Sequence, residues 1–169
     1  MIFRNDLHPR IATPNDSAAI ANIYNEGIED RVATFETQLR QAEDILKWFD
    51  GIHPMVVVER KGVIVGFAST SNYRNRTCYA GIAEVSVYVA RLARKSGVRR
   101  IALQSLLDEV EKAGFWKLIS RVFVNNIASR KLISSFGFRE VGVYEKHSKL
   151  DGIWRDVIIV ERLISANIR

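Results

Sequence analysis

Residues 83–100, Ala83-Glu84-Val85-Ser86-Val87-Tyr88-Val89-Ala90-Arg91-Leu92-Ala93-Arg94-Lys95-Ser96-Gly97-Val98-Arg99-Arg100, read as a strand, a basic turn and the start of a helix. Strict alternation from about Ile82 to Val89 puts Val85, Val87 and Val89 on one face and Glu84, Ser86 and Tyr88 on the other. From Val98 the apolar residues Ile101, Ala102, Leu106 and Val110 recur at helical spacing, and Gly114 closes the helix. The turn between them, Arg94-Lys95-Ser96-Gly97-Val98-Arg99, joins strand to helix where unpaired N–H groups and the helix dipole attract anions. By itself the segment fits either a phosphate site or a plain basic turn before a solvated helix.

The rest of the chain supplies elements that pack around this unit. Around Ile11 a short strand ends at Thr13-Pro14-Asn15-Asp16, a helix start with Thr13 as cap, Pro14 in the first turn and Asp16 as the capping-box acid. The following helix gathers Ile20, Ile23, Tyr24 and Gly27 or Ile28 on one face, and Arg31 to Leu39 reads as a loop. A second short helix, Gln41 to Phe49, turns Ile45, Trp48 and Phe49 inward. Met55–Glu59 and Val63–Ser69 form a hairpin across Arg60-Lys61-Gly62, followed by the polar, irregular Asn72–Thr77. Beyond the central helix come a strand, Trp116–Phe123, a helix, Ile127–Phe136, stopped by Gly137, and a strand, Phe138–Tyr144. Glu145–Gly152 reads as a charged loop and Asp156–Leu163 as the last strand. This order implies an α/β fold with a mixed, mostly antiparallel central sheet flanked by helices.

At 169 residues and 47% hydrophobic content the chain is expected to form one domain, residues 1–169, with a real core. No apolar run reaches the length of a membrane span, and Met1 to Arg10 is too polar for a signal peptide, so the cytoplasm is the expected compartment. A single cysteine, Cys78, rules out internal disulfides. His8, His53 and His147 lack two-ligand spacing, so metal-free chemistry is expected. The net charge of +6 suits a phosphate-bearing ligand, nucleic acid or solubility alone, but basic residues are spread along the chain and no aromatic-basic interleaving argues for nucleic acid.

From about Ile11 to Leu163 the chain resembles the GNAT superfamily of acetyl-coenzyme A-dependent N-acetyltransferases, and within it the phosphinothricin and arsinothricin N-acetyltransferase branch. The residues that carry the resemblance are Ile23-Tyr24-Asn25-Glu26-Gly27-Ile28, Thr34-Phe35-Glu36-Thr37, Ala83 to Val89, Asn126-Ile127-Ala128-Ser129, Phe136-Gly137-Phe138 and Lys149 to Val157. The motifs are short; their order and spacing together are specific. The resemblance implies the GNAT fold, acetyl-coenzyme A as co-substrate, an amine of a small amino-acid analogue as acceptor, and a homodimer.

It also assigns roles. Val87, Tyr88 and Val89 would run along the pantetheine arm, with the Val87 N–H aimed at the thioester carbonyl. Arg94, Lys95, Ser96, Gly97, Val98 and Arg99 would form the pyrophosphate turn, and Asn126 and Ser129 would touch the cofactor, with Asn126 also able to cap its helix. Glu84 matches the carboxylate proposed as general base, against the alternative of an ion-paired strand glutamate. Arg74 and Arg76 would receive an acidic headgroup, with Thr34, Phe35 and Glu36 on the other wall; solvated loop arginines are the alternative. Two positions depart from the branch: Lys95 stands where glycine is common, and Arg99 where the superfamily has glycine or alanine. The Arg99 side chain either crowds the pyrophosphate or reaches out to bind a phosphate. No tyrosine follows Ser129 to protonate the leaving thiolate, and Cys78 lies outside the catalytic strand, so direct attack without an acetyl-enzyme is expected. Acetylation of another small amine or of a protein amine, or a non-catalytic anion-binding or nucleic-acid-binding module of the same fold, are the competing readings.

Overall fold

The structure is a computed structural model that describes residues 6–168; Met1 to Asn5 of the polar N-terminal stretch lie outside it. Among the described residues seven strands form one sheet in the order β1-β2-β3-β4-β5-β7-β6. They are β1 (Leu7–Ile11), β2 (Met55–Arg60), β3 (Val63–Asn72), β4 (Ile82–Val89), β5 (Lys117–Phe123), β6 (Arg139–Leu150) and β7 (Ile153–Leu163). All neighbours are antiparallel except β4 and β5, which are parallel because α3 (Val98–Lys112) crosses over between them. The mixed, mostly antiparallel sheet flanked by helices is the expected fold.

Alternation along the inner strands sends side chains into two cores. Val56, Val58, Ala68, Val85 and Val89 pack with Ala102, Leu103 and Leu106 of α3 and with Ile133 of α4 (Ile127–Ser135). On the opposite face Val57 and Phe67 pack with Ile20, Ile23 and Ile28 of α1 (Ser17–Glu29) and Ile45 of α2 (Ala42–Leu46). A strand buried on both faces reads as an unbroken apolar run, as Met55-Val56-Val57-Val58 does. Gly66 lets α3 settle on the sheet: a Cβ there would lie 2.5 Å from Val98 Cγ1.

Two expectations need correction. The second helix covers only Ala42–Leu46, after which Trp48 and Phe49 continue in irregular turns while still packing on the α1 core. The charged segment Glu145–Gly152 is not a loop: β6 runs to Leu150 and β7 starts at Ile153, joined by Asp151 and Gly152 at φ of 49° and 77°. Two consecutive positive φ values make a tight hairpin turn that Asp-Gly favours. The ladder shifts register between Tyr144 and Ser148, where the Asp156 carboxylate accepts the Lys146 N–H at 2.7 Å.

Before α1, Asp16 lies in a short 3₁₀ turn, 7% exposed, accepting the Thr13 N–H at 2.7 Å and two bonds from Arg10 at 2.8 and 2.9 Å. The Arg10 guanidinium holds the Asp16 carboxyl below its ordinary value of 3.8. A depressed folded pKa means that the stabilisation is present above the unfolded value and lost as pH falls through the folded one. Asp16→Asn is therefore expected to cost about 1–3 kcal/mol at pH 7 and to make stability less steep below about pH 4, read by denaturant unfolding between pH 7 and 2.5.

Candidate active site

Strands β4 and β5 pair only over Ile82–Glu84 with Lys117–Ile119, and then part. β5 stays tied to β7 as far as Phe123. Where the ladder stops, Ser120 Oγ donates to the Val85 carbonyl at 2.9 Å. Backbone polar groups alternate sides along a strand, and the Ala90 N–H reaches Val65 O of β3. The odd residues Val85, Val87 and Val89 therefore turn their N–H and C=O groups toward the gap. This gap holds a cavity of about 80 Å³ between β4, β5, α3 and α4. On the α1 side of β4 lie two further cavities, about 340 and 280 Å³, which share Tyr24, Ser86 and Tyr88. Ser86 and Tyr88 line all three spaces, so the gap and these two cavities meet at one face of β4.

The 280 Å³ cavity is lined by Glu84, Thr34, Phe35 and Glu36 among others. Phe35 packs edge-on against Phe123 at 4.9 Å, and Glu36 is held by Arg40 at 2.6 Å. Glu84 is ion-paired with Arg121 of β5, the Glu84 side chain being 24% exposed and that of Arg121 44%. Tyr24 and Tyr88 meet edge to face at 4.9 Å, and burial pushes both hydroxyls above their ordinary pKa, so both stay protonated. Gly27 makes room for this pair, since a Cβ there would lie 2.7 Å from the Tyr88 ring.

Arg74 and Arg76 are not brought to this site. Both are exposed in the loop after β3, Arg74 lies over the Tyr73 ring at 5.3 Å, and neither lines the three cavities. The cation beside Glu84 is Arg121, which sequence reading missed; the available signal was a charged residue inside the apolar run of β5. Trp48, Ser69 and Asn72, which line the 340 Å³ cavity, were not singled out either.

At the turn, Gly97 has φ 87° and caps α3, and Lys95 holds a left-handed φ of 61° where glycine is more at ease. Ser96 Oγ is bound to Ala93 O and Arg60. Arg94 is engaged by Asp30 at 2.6 Å and by Val89 O at 3.3 Å. Arg99 is half-buried in the gap, donating to Ser129 Oγ at 3.1 Å, with no carboxylate at ion-pair distance among the described residues. Burial, and then the nearby Arg94, pull its pKa below the ordinary arginine value. Asn126 caps α4 through the Ser129 N–H at 3.2 Å and faces the same gap, so capping and gap-lining coexist. A half-buried guanidinium without a counter-ion, beside main-chain groups turned into an opened sheet, fits an extended ligand that carries negative charge.

The family model described as an acetyltransferase (GNAT) domain matches residues 10–159. The chain belongs to the GNAT acetyltransferase family. As a GNAT acetyltransferase it is an enzyme that uses acetyl-coenzyme A, and the gap residues above fit that donor. It is 32% identical over 164 residues to the phosphinothricin N-acetyltransferase of Alcaligenes faecalis, covering 93% of this chain and 82% of that protein. Among solved structures, the ribosomal-protein-alanine N-acetyltransferase of Brucella melitensis superposes with a TM-score of 0.88 at 31% identity, covering 93% of this chain and 99% of that one. The GNAT phosphinothricin acetyltransferase of Sinorhizobium meliloti, in complex with acetyl-coenzyme A, gives a TM-score of 0.86 at 28% identity, covering 94% and 88%.

Proposed function

We propose that this acetyltransferase modifies the amine of a small amino-acid analogue of the phosphinothricin, arsinothricin or methionine sulfoximine type, a detoxification or resistance activity, and does so by direct attack. The observation that carries the reading is the convergence of the gap and the two acceptor-side cavities at Ser86 and Tyr88, one turn of the pleat from Glu84. Acetyl-coenzyme A, when bound, supplies the acetyl group as a reactive thioester. Val87, Tyr88 and Val89 would hold its arm, and Lys95, Gly97, Val98, Arg99, Asn126 and Ser129 its phosphate end, with Arg94 and Ser96 shaping the turn. The Val87 N–H faces the gap, where a donor stabilises negative charge growing on a carbonyl oxygen.

Acceptor amines are mostly protonated at neutral pH, with pKa values of roughly 8–10, so a base must take a proton before the nitrogen lone pair can attack. Glu84 is the carboxylate for that step. Thr34, Phe35 and Glu36 form the wall opposite. The whole activity is assigned to one domain. The homodimer that the resemblance implies would cover exposed apolar residues such as Val141, Val143 and Tyr144 on the edge strand β6 and Ile153 and Trp154 on β7. No described helix is long and apolar enough to cross a membrane.

A peptide N-terminus is a second reading, favoured by the name of the Brucella relative. Coenzyme A release followed with a thiol reagent separates the two. Phosphinothricin, arsinothricin and methionine sulfoximine are expected to turn over at least about tenfold more efficiently than alanine-initiated peptides. The reverse order would replace the small-molecule reading, and release with neither would remove both.

A further inference from the structure

Glu84 and Arg121 lie 37 residues apart in sequence and meet where β4 and β5 separate. Arg121 lines both the gap and the 280 Å³ acceptor-side cavity, and among the described residues it is the one basic residue lining that cavity. Lys47, the cation of the adjoining cavity, is 76% exposed and bound to Asp44. While the two are paired, the guanidinium occupies the Glu84 carboxylate that an acceptor ammonium would have to reach. The pair is solvent-accessible, so it is cheaply exchanged for other partners.

An α-amino acid carries an ammonium and a carboxylate on one carbon, the mirror of this ion pair. Its ammonium can replace Arg121 on Glu84 while its carboxylate takes the guanidinium fork in bidentate fashion. One exposed ion pair is thereby exchanged for two, and Glu84 faces the nitrogen it is to deprotonate. A peptide N-terminus or a simple amine has no neighbouring carboxylate, and would leave Arg121 competing for Glu84.

We propose that Arg121 is the specificity-determining residue of the acceptor site: it binds the free α-carboxylate of the acceptor and releases Glu84 only when that carboxylate is present. This rests on the amino-acid-analogue reading above. The test uses methionine sulfoximine, its α-carboxamide and its decarboxylated amine with wild type, Arg121→Gln and Arg121→Lys. Both kcat/KM and equilibrium binding by calorimetry are measured, in the presence of coenzyme A for binding.

Wild type is expected to prefer the free acid by about 30-fold or more, a charge-assisted bidentate contact. Arg121→Gln should lose most of that preference through KM for the acid, and Arg121→Lys should recover part of it. An acid-to-carboxamide ratio that is the same in wild type and Arg121→Gln, in folded protein that still binds coenzyme A, overturns the inference. If calorimetry shows the Arg121-dependent preference but no acceptor is acetylated, the residue assignment stands and the acetylation reading fails. Absence of any preference in wild type sinks the assignment whatever the turnover.

Discussion

Glu84→Gln is expected to lower kcat at pH 7 by about 10²- to 10⁴-fold, the usual worth of a positioned general base, while the Kd for acetyl-coenzyme A stays within about threefold. The amide keeps the shape of the side chain and its place in the acceptor cavity beside Arg121, so the loss isolates proton removal. Glutamine cannot take the ammonium proton, and the residual reaction must draw on the small fraction of free amine in solution. That fraction grows about tenfold per pH unit below the amine pKa of roughly 8–10, so the variant's rate should climb with pH and the gap to wild type should narrow above pH 9. Steady-state kinetics from pH 6 to 10 with phosphinothricin read both effects. A variant within about tenfold of wild type at pH 7, with an unchanged pH profile, would reduce Glu84 to the ion-paired strand residue that its contact with Arg121 also permits.

Local periodicity made most of the fold readable. The β4–turn–α3 unit carries alternation, a left-handed glycine and a helical repeat in one continuous stretch, and Val85 and Val89 are buried against α3 as that alternation requires. The β6–β7 hairpin was misread because β6 is the edge of the sheet and is exposed along almost its whole length. Edge strands carry charge to discourage further pairing, so Glu145-Lys146-His147 has the composition of a loop. The proposed acceptor site was readable only in part. Glu84, Thr34, Phe35 and Glu36 converge on one cavity, whereas Arg74 and Arg76, close to β4 in sequence, stay in solvent. Arg121 is marked locally only as a charge within the apolar run of β5, and its meeting with Glu84 just beyond the end of the parallel β4–β5 pairing is a tertiary fact.

Arg99→Glu is expected to raise the Kd for coenzyme A by about 100-fold or more, and Arg99→Gly by about tenfold. The sequence left two outcomes open for a large side chain at this position, crowding or phosphate binding. Three features favour binding. Among the described residues the Ser129 hydroxyl is the one side-chain partner of Arg99, so no described anion must be displaced when a phosphate arrives. Arg94, by contrast, is already committed to Asp30, whereas Arg99 is a half-buried cation with no carboxylate at ion-pair distance among the described residues. Burial and Arg94 both act against its charge in the free protein, and a bound pyrophosphate would relieve that penalty, adding to the affinity. A glutamate in its place would pair with Arg94 or repel the phosphates, which is why reversal costs more than truncation. Calorimetry at low and high ionic strength supplies the check: the salt dependence of wild-type affinity should shrink in Arg99→Gly, because a screened contact has been removed. Tighter binding by Arg99→Gly than by wild type would show that the guanidinium obstructs the gap, and the charge argument would then have the wrong sign.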